Sequence, residues 1–286
     1  MGYRDNEYGR IRQIILCKPD YFKWVAINEA AKENIKTRGA AFDSGLAKKQ
    51  HGELVDALKS YDDKMKIHFF APKEDLPYEV YTRDFGKSCA QGALIGKFRE
   101  SVRDPETIIA VDFFKKHNLP LWERVQTGAI EGGDMHFIDG HTLAVGIGSR
   151  SNEEGVEEAK KLLAPKDINV MPVKFDPKYL HLDLSFVLIN DRICIACPDV
   201  HSDSFMGEIK KRKLEIVVVP EKDLLELKCN VLSIDDETVL SFKANTEVNK
   251  KLRALGLKVS DPDLSMFTMG GGGPRCLTYP LERDGV

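Results

Sequence analysis

An α/β protein is predicted, built from five repeats of one helix-and-strand unit closed into a ring around a central axis. The phrase "amphipathic helix, short polar break, apolar strand" occurs five times along the chain. Its copies recur roughly every 40–55 residues, the spacing of propellers and repeat arrays. No Pro-, Gly- or Ser-rich linker divides the 286 residues, so residues 1–286 read as a single domain with enough chain to bury a sizeable core.

The first unit joins a helix over 52–61 to a strand over 66–70, and the second joins 112–117 to 121–125. The third joins 152–163 to 168–173, the fourth 204–213 to 215–219, and the last 246–255 to 257–259. Ser151-Asn152-Glu153-Glu154 predicts a capping box at the third helix, in which Ser and Glu satisfy each other's orphan amides. Gly256 stands where the fifth helix should close. Apolar runs at 142–147, 185–189 and 239–242 predict strands between the units, and Asn190-Asp191-Arg192 predicts a hairpin turn. Lys210-Lys211-Arg212-Lys213 is the one dense basic cluster; it falls where a helix begun near Ser202 would end, and cations suit that end of the helix dipole.

The net charge of −3 and a pI near 6.2 point away from nucleic acid and other polyanions. No apolar run approaches the ~18 residues of a membrane helix, and no charged-then-apolar leader opens the chain. Met1-Gly2 lacks the Ser or Thr of a myristoylation motif, because Asn6 occupies that place. No Asn-x-Ser/Thr acceptor occurs. Six cysteines are too sparse for a disulfide scaffold, which predicts a cytoplasmic protein with reduced thiols.

Cys276 follows Met269-Gly270-Gly271-Gly272-Gly273-Pro274-Arg275. Glycines ahead of a cysteine let the backbone come close to whatever the sulfur attacks, and the charge of Arg275 can lower a thiol pKa. A thiol with a histidine elsewhere in the chain is a candidate nucleophile pair. Cys17, Cys89 and Cys229 lack such surroundings and are assigned to the core. Cys194-Ile195-Ala196-Cys197 has redox spacing but lies in a run, 192–197, that reads as a strand; a single pair is also only half a zinc site.

His181 and Asp183 lie two apart, which on a strand points both to one face. They could serve as a histidine with its acid or as two metal ligands, although the seven histidines are scattered. Glu131-Gly132-Gly133-Asp134 reads either as an acidic turn ahead of a strand starting at Met135 or as a loop whose glycines admit a ligand. Tyr81-Thr82-Arg83-Asp84 follows the proline-bounded loop 72–77. Gly146-Ile147-Gly148-Ser149-Arg150 has neither phosphate-loop spacing. The surplus of carboxylates around one thiol and one histidine predicts a cationic substrate.

Together, and in this order, these motifs resemble the guanidino-group modifying enzymes: arginine deiminases, dimethylargininases and amidinotransferases. That family's pentein fold is a five-bladed α/β propeller of ββαβ-type repeats with pseudo-five-fold symmetry. The resemblance covers nearly the whole chain, from Thr82-Arg83-Asp84 to Cys276. It implies Cys276 as nucleophile and His181 as general acid/base. It implies Asp84, Glu131 and Asp183 as holders of the guanidinium, Asp134 as a supporting acid, and Arg150 as the partner of a substrate α-carboxylate. It implies a thiouronium intermediate and neither metal nor organic cofactor. The expected partner is a small cationic guanidino substrate, with no nucleic acid and no membrane, and with self-association into a homo-oligomer left open.

Within the family, the three carboxylates, Asp183 among them, favour an arginine deiminase-like hydrolase, since methylation removes N–H donors. The length and compact plan resemble dimethylargininases. Amidinotransferases, which share His-x-Asp, arginine dihydrolases or citrulline hydrolases, and a non-catalytic binding protein on the same fold complete the alternatives.

Overall fold

The computed structural model describes residues 5–25 and 41–286, with Lys32 and Lys36 between them. Among the described residues five three-stranded sheets carry the fold, and in all five the middle strand has one antiparallel and one parallel neighbour. One sheet holds β3 (Gly86–Cys89), β4 (Gly92–Ile95) and β5 (Leu121–Arg124). The next holds β6 (Met135–Asp139), β7 (Thr142–Ile147) and β8 (Asn169–Lys174), and a third β9 (Phe186–Leu188), β10 (Ile193–Ala196) and β11 (Glu215–Val218). A fourth holds β12 (Leu232–Ser233), β13 (Thr238–Leu240) and β14 (Lys258–Ser260). In each, an antiparallel hairpin leads through a helix to a third strand that runs parallel to the middle one. The fifth sheet is shared between the ends of the chain: β15 (Tyr279–Arg283) pairs antiparallel with β1 (Ile11–Cys17), which pairs parallel with β2 (Lys66–Phe70).

The helices lie where a parallel third strand demands a crossover. The helix Glu153–Leu163 buries Val156, Ala159 and Leu163 in a cluster with Leu143, Val145 and Val170 of its own sheet. Two helices are longer than their apolar spacing predicts. The helix expected at 52–61 starts at Ser44, capped by Asp43, whose carboxylate accepts from Leu46 N–H at 2.9 Å. Its first turns bury Gln50 and His51 among the core positions, so a hydrophobic period is visible only from Leu54 onward. The helix expected at 112–117 starts at Asp104, with Pro105 in its first turn and Glu106 and Thr107 on the buried face.

The capping box expected at Ser151 does not form. Asn152 caps the helix, accepting from Gly155 N–H at 3.0 Å, because the Ser151 hydroxyl is engaged with Asp134. Gly256 closes the fifth helix at φ +88°, a left-handed conformation that glycine adopts without strain. Asn190 makes the expected hairpin turn, its side chain accepting from Arg192 and Ile193 N–H. The basic cluster ends the helix Asp203–Lys211 as expected. Cys17, Cys89, Cys194, Cys197 and Cys229 are free and buried. Among the described residues no helix is long and apolar enough to cross a membrane.

Candidate active site

A tight turn precedes the first strand of each sheet, and the motifs of the sequence occupy these turns. Thr82–Phe85 leads into β3, Gly132–Asp134 into β6 and Leu182–Leu184 into β9, each as one turn of 3₁₀ helix. Asn230 lies two residues ahead of β12, and Cys276 three residues ahead of β15. Hydrogen bonds link neighbouring turns: Arg83 N–H donates to the Cys276 carbonyl at 3.1 Å, and Leu182 N–H donates to Asp134 Oδ1 at 2.8 Å. One repeat-level position therefore supplies every candidate functional side chain except Arg150.

His181 is not on a strand; it sits in extended conformation just before its turn. The two-residue spacing therefore does not put it beside Asp183, and the two side chains diverge to different partners. His181 Nε2 lies 2.9 Å from Glu131 Oε2, and Nδ1 lies 3.8 Å from Asp84 Oδ1. Gly133 makes room for the ring, since a Cβ there would fall 2.5 Å from Nδ1. The glycine thus admits the protein's own histidine, where the sequence allowed a ligand.

Cys276 Sγ lies 3.9 Å from Asp183 Oδ2 and 3.1 Å from Asn230 Nδ2. Arg275 Nε stands 3.5 Å from the same Asp183 oxygen. Asp84 gives Oδ2 to Arg103 at 2.7 Å, and Arg103 forks onto Glu106 at 2.8 and 2.9 Å. Glu131 divides its oxygens between Arg99 N–H at 3.1 Å and His181. Asp134 accepts from Leu182 N–H and from the Ser151 hydroxyl at 2.5 Å, which ties two turns together. Among the described residues, Asp84 Oδ1, Asp183 Oδ1 and His181 Nδ1 are buried without a hydrogen-bond partner. Arg150 is buried, its Nη1 3.7 Å from the half-exposed Glu100.

Charge follows from this geometry. Burial alone would depress His181, but Asp84, Asp134 and Glu131 outweigh it and hold the imidazole up to about 10. Burial pushes the Cys276 thiol well above its ordinary range; Asp183 and Asp84 add to the rise, while hydrogen bonds from Asn230 and Gly273 oppose it. Burial also raises Asp183, against the pull of His181 and Arg275, and lifts Asp134 to about 7. Glu131 is lowered despite burial because its partners are cations, His181 foremost. The resting pair is therefore an imidazolium and a neutral thiol.

Behind the cysteine lies a layer that the sequence reading did not include. Glu7, from the first described residues, pairs with Lys87 and with Arg275 Nη1 at 3.0 Å, and Arg275 also reaches the His136 ring at 3.2 Å. Glu7, Arg103, Ser151 and Asn230 carry no motif that marks them in sequence; Ser151 even read as a cap. Ligand atoms of Asp84, Glu131 and His181 lie within 4.8 Å of one another, a set that a cation could use. It would have to displace the proton that these same carboxylates hold on His181.

The family model described as N,N dimethylarginine dimethylhydrolase, eukaryotic, matches residues 18–283. The chain belongs to this family. With it, the chain joins the guanidino-group modifying superfamily that the motifs resemble. Members share the plan at modest identity: the uncharacterized protein YkgA of Bacillus subtilis (strain 168) is 31% identical over 97% of this chain and 94% of its own length. An arginine deiminase of Borrelia garinii subsp. bavariensis is 26% identical over 93% of this chain and 73% of its own. Among solved structures, the N-terminal domain of ArgZ, a cyanobacterial arginine dihydrolase bound to product, superposes with TM-score 0.82 at 21% identity, over 96% of this chain and 98% of that one. A dimethylarginine dimethylaminohydrolase adduct superposes with TM-score 0.74 at 20% identity, over 94% and 99%. The dimethylarginine dimethylhydrolase family and these neighbours share one fold, α/β with small sheets.

Proposed function

We propose that the protein hydrolyses a guanidinium C–N bond of arginine or an arginine derivative through a covalent Cys276 adduct. The carrying observation is the pair of unmatched, buried carboxylate oxygens, Asp84 Oδ1 and Asp183 Oδ1, beside a thiol and a protonated histidine. A planar cation with several N–H donors satisfies both at once. Its charge offsets the two carboxylates that, with burial, keep the proton on Cys276, so substrate binding itself favours the thiolate.

As the cation binds, the Cys276 thiol releases its proton to solvent; the thiolate attacks the guanidinium carbon, and His181 protonates the departing nitrogen. Ammonia or an amine leaves, and a thiouronium remains on sulfur. Neutral His181 then takes a proton from water as its oxygen attacks the same carbon, and the C–S bond breaks with its electron pair returning to Cys276. Glu131 orients and charges His181 for both steps. Asp134 braces the turns, and Arg150 pairs with a substrate carboxylate. No cofactor enters these steps. We further read residues 1–286 as one catalytic domain whose five sheets form the blades of a propeller.

Our first choice of substrate is an unsubstituted guanidinium, because a methylated terminal nitrogen leaves a buried acceptor unmatched, at about 1–3 kcal/mol. That corresponds to roughly tenfold or more in kcat/KM. The family match supports dimethylarginine as the second reading. Arginine, dimethylarginine, agmatine and citrulline assayed in parallel for ammonia, amine and ureido products decide between them. Dimethylarginine as best substrate would overturn the first reading. Quenched wild type should carry the adduct by intact-protein mass spectrometry, and a fully active Cys276→Ser would sink the mechanism.

A further inference from the structure

Asn230 is fully buried and uses both ends of its carboxamide on one residue. Oδ1 accepts from the Cys276 backbone N–H at 3.3 Å, and Nδ2 stands 3.1 Å from Cys276 Sγ. A peptide N–H can only donate, so it must face the amide oxygen; that contact settles the amide's orientation and leaves the NH2 group aimed at sulfur. The glycine run bears the mark of this arrangement. A Cβ on Gly273 would fall 2.7 Å from Asn230 Oδ1 and 2.9 Å from the Asn230 carbonyl oxygen. Gly273 thus admits an asparagine to the cysteine, a second observation independent of the hydrogen bonds.

The sulfur lies between this donor and the Asp183 carboxylate at 3.9 Å. A donor stabilises the thiolate; a carboxylate stabilises the thiol. We infer that Asn230 is a catalytic residue that holds the negative charge of Cys276 sulfur. It does so as the thiolate attacks, and again when the thiouronium carbon–sulfur bond breaks and its electron pair returns to sulfur. This inference rests on the reading of Cys276 as nucleophile. Nothing in the dense Cys276 motif announces it, because Asn230 comes from another sheet.

The test is the pH profile of Cys276 alkylation by iodoacetamide, followed by intact mass with Cys276→Ser as background. Asn230→Asp keeps the shape and the acceptor for the backbone N–H but replaces the donor at sulfur with negative charge. Its thiol pKa should rise by about one to three units. Alkylation at fixed pH below that pKa should slow at least about tenfold, with the urea midpoint near wild type. A folded Asn230→Asp whose profile superposes on wild type overturns the inference. If Asn230→Asp does not fold, Asn230→Ala takes its place, with a smaller rise expected and an unchanged profile equally fatal. Turnover by Cys276→Ser judges the nucleophile separately, since the thiol titration is compared between wild type and the Asn230 variants, which keep Cys276.

Discussion

At the scale of single residues, His181 is a cation held by Asp84, Asp134 and Glu131, and this sets how pH acts on it. Its pKa in the folded protein, about 10, exceeds the ordinary 6.5. The stability it contributes is therefore complete below about 6.5 and drains away as pH rises toward 10. The difference in urea midpoint between wild type and His181→Ala should narrow across that window; a constant difference would contradict the assignment. With His181 as the proposed acid for the leaving nitrogen, turnover should likewise fall on an alkaline limb near the same value. The free thiol titrates in the other sense: iodoacetamide should modify Cys276 slowly at neutral pH and faster still beyond pH about 9, the ordinary thiol range. Saturation already at neutral pH would mean that burial and Asp183 do not hold the proton as the geometry indicates. Cys276, His181 and Asp183 stood out as candidates in sequence because each sits in a short motif of unusual composition. The division of labour among the acids was not, since which oxygen is already taken is a property of distance.

Among the elements, the turn ahead of each sheet's first strand carries the candidate site side chains, and its glycines are spacers for neighbouring turns. Gly133→Ala tests this. The added Cβ would sit 2.5 Å from His181 Nδ1 and 2.6 Å from Cγ, so the ring must move. Overpacking of this kind costs about 1–3 kcal/mol of stability. A displacement near 1 Å at the acid/base can cost about 100-fold in kcat. The expected result is a folded protein with collapsed turnover and a modestly lowered Tm; full activity would show that His181 needs no such clearance. Helix starts were the weakest element-level expectation, because Gln50, His51 and Glu106 occupy buried positions that a hydrophobic period cannot see.

Across the whole molecule, the two ends of the chain complete one sheet. Arg283 of β15 donates to Gly9 carbonyl at 2.7 Å and Ser233 carbonyl at 2.9 Å, and Arg12 forks onto Asp284 at 2.6 and 2.9 Å. Tyr279 and Leu281 are buried beneath. Removing residues 279–286 should therefore abolish the single cooperative transition in thermal unfolding, and activity with it, although Cys276 stays in the chain. Retained cooperativity would mean that β1 and β2 stand without their C-terminal partner. The half-buried pair Arg12–Asp284 by itself should matter little, since pairs near the surface contribute about 0–1 kcal/mol. Arg12→Ala is the matched control, with a Tm close to wild type.

The sequence by itself determined the repeat of helix and strand and the α/β class, and it marked a candidate nucleophile and a candidate histidine. Those depend on local periodicity and on motifs a few residues long, which the chain writes in order. Only the tertiary structure decided that Asn230 faces the sulfur, that Glu131 serves His181, that Arg103 occupies one oxygen of Asp84, and that Ser151 braces Asp134 in place of capping a helix. Each of these joins residues between 17 and 50 positions apart in the chain. Hydrogen bonds act over about 3 Å of space, and no spacing along the chain encodes which turns the fold will bring that close.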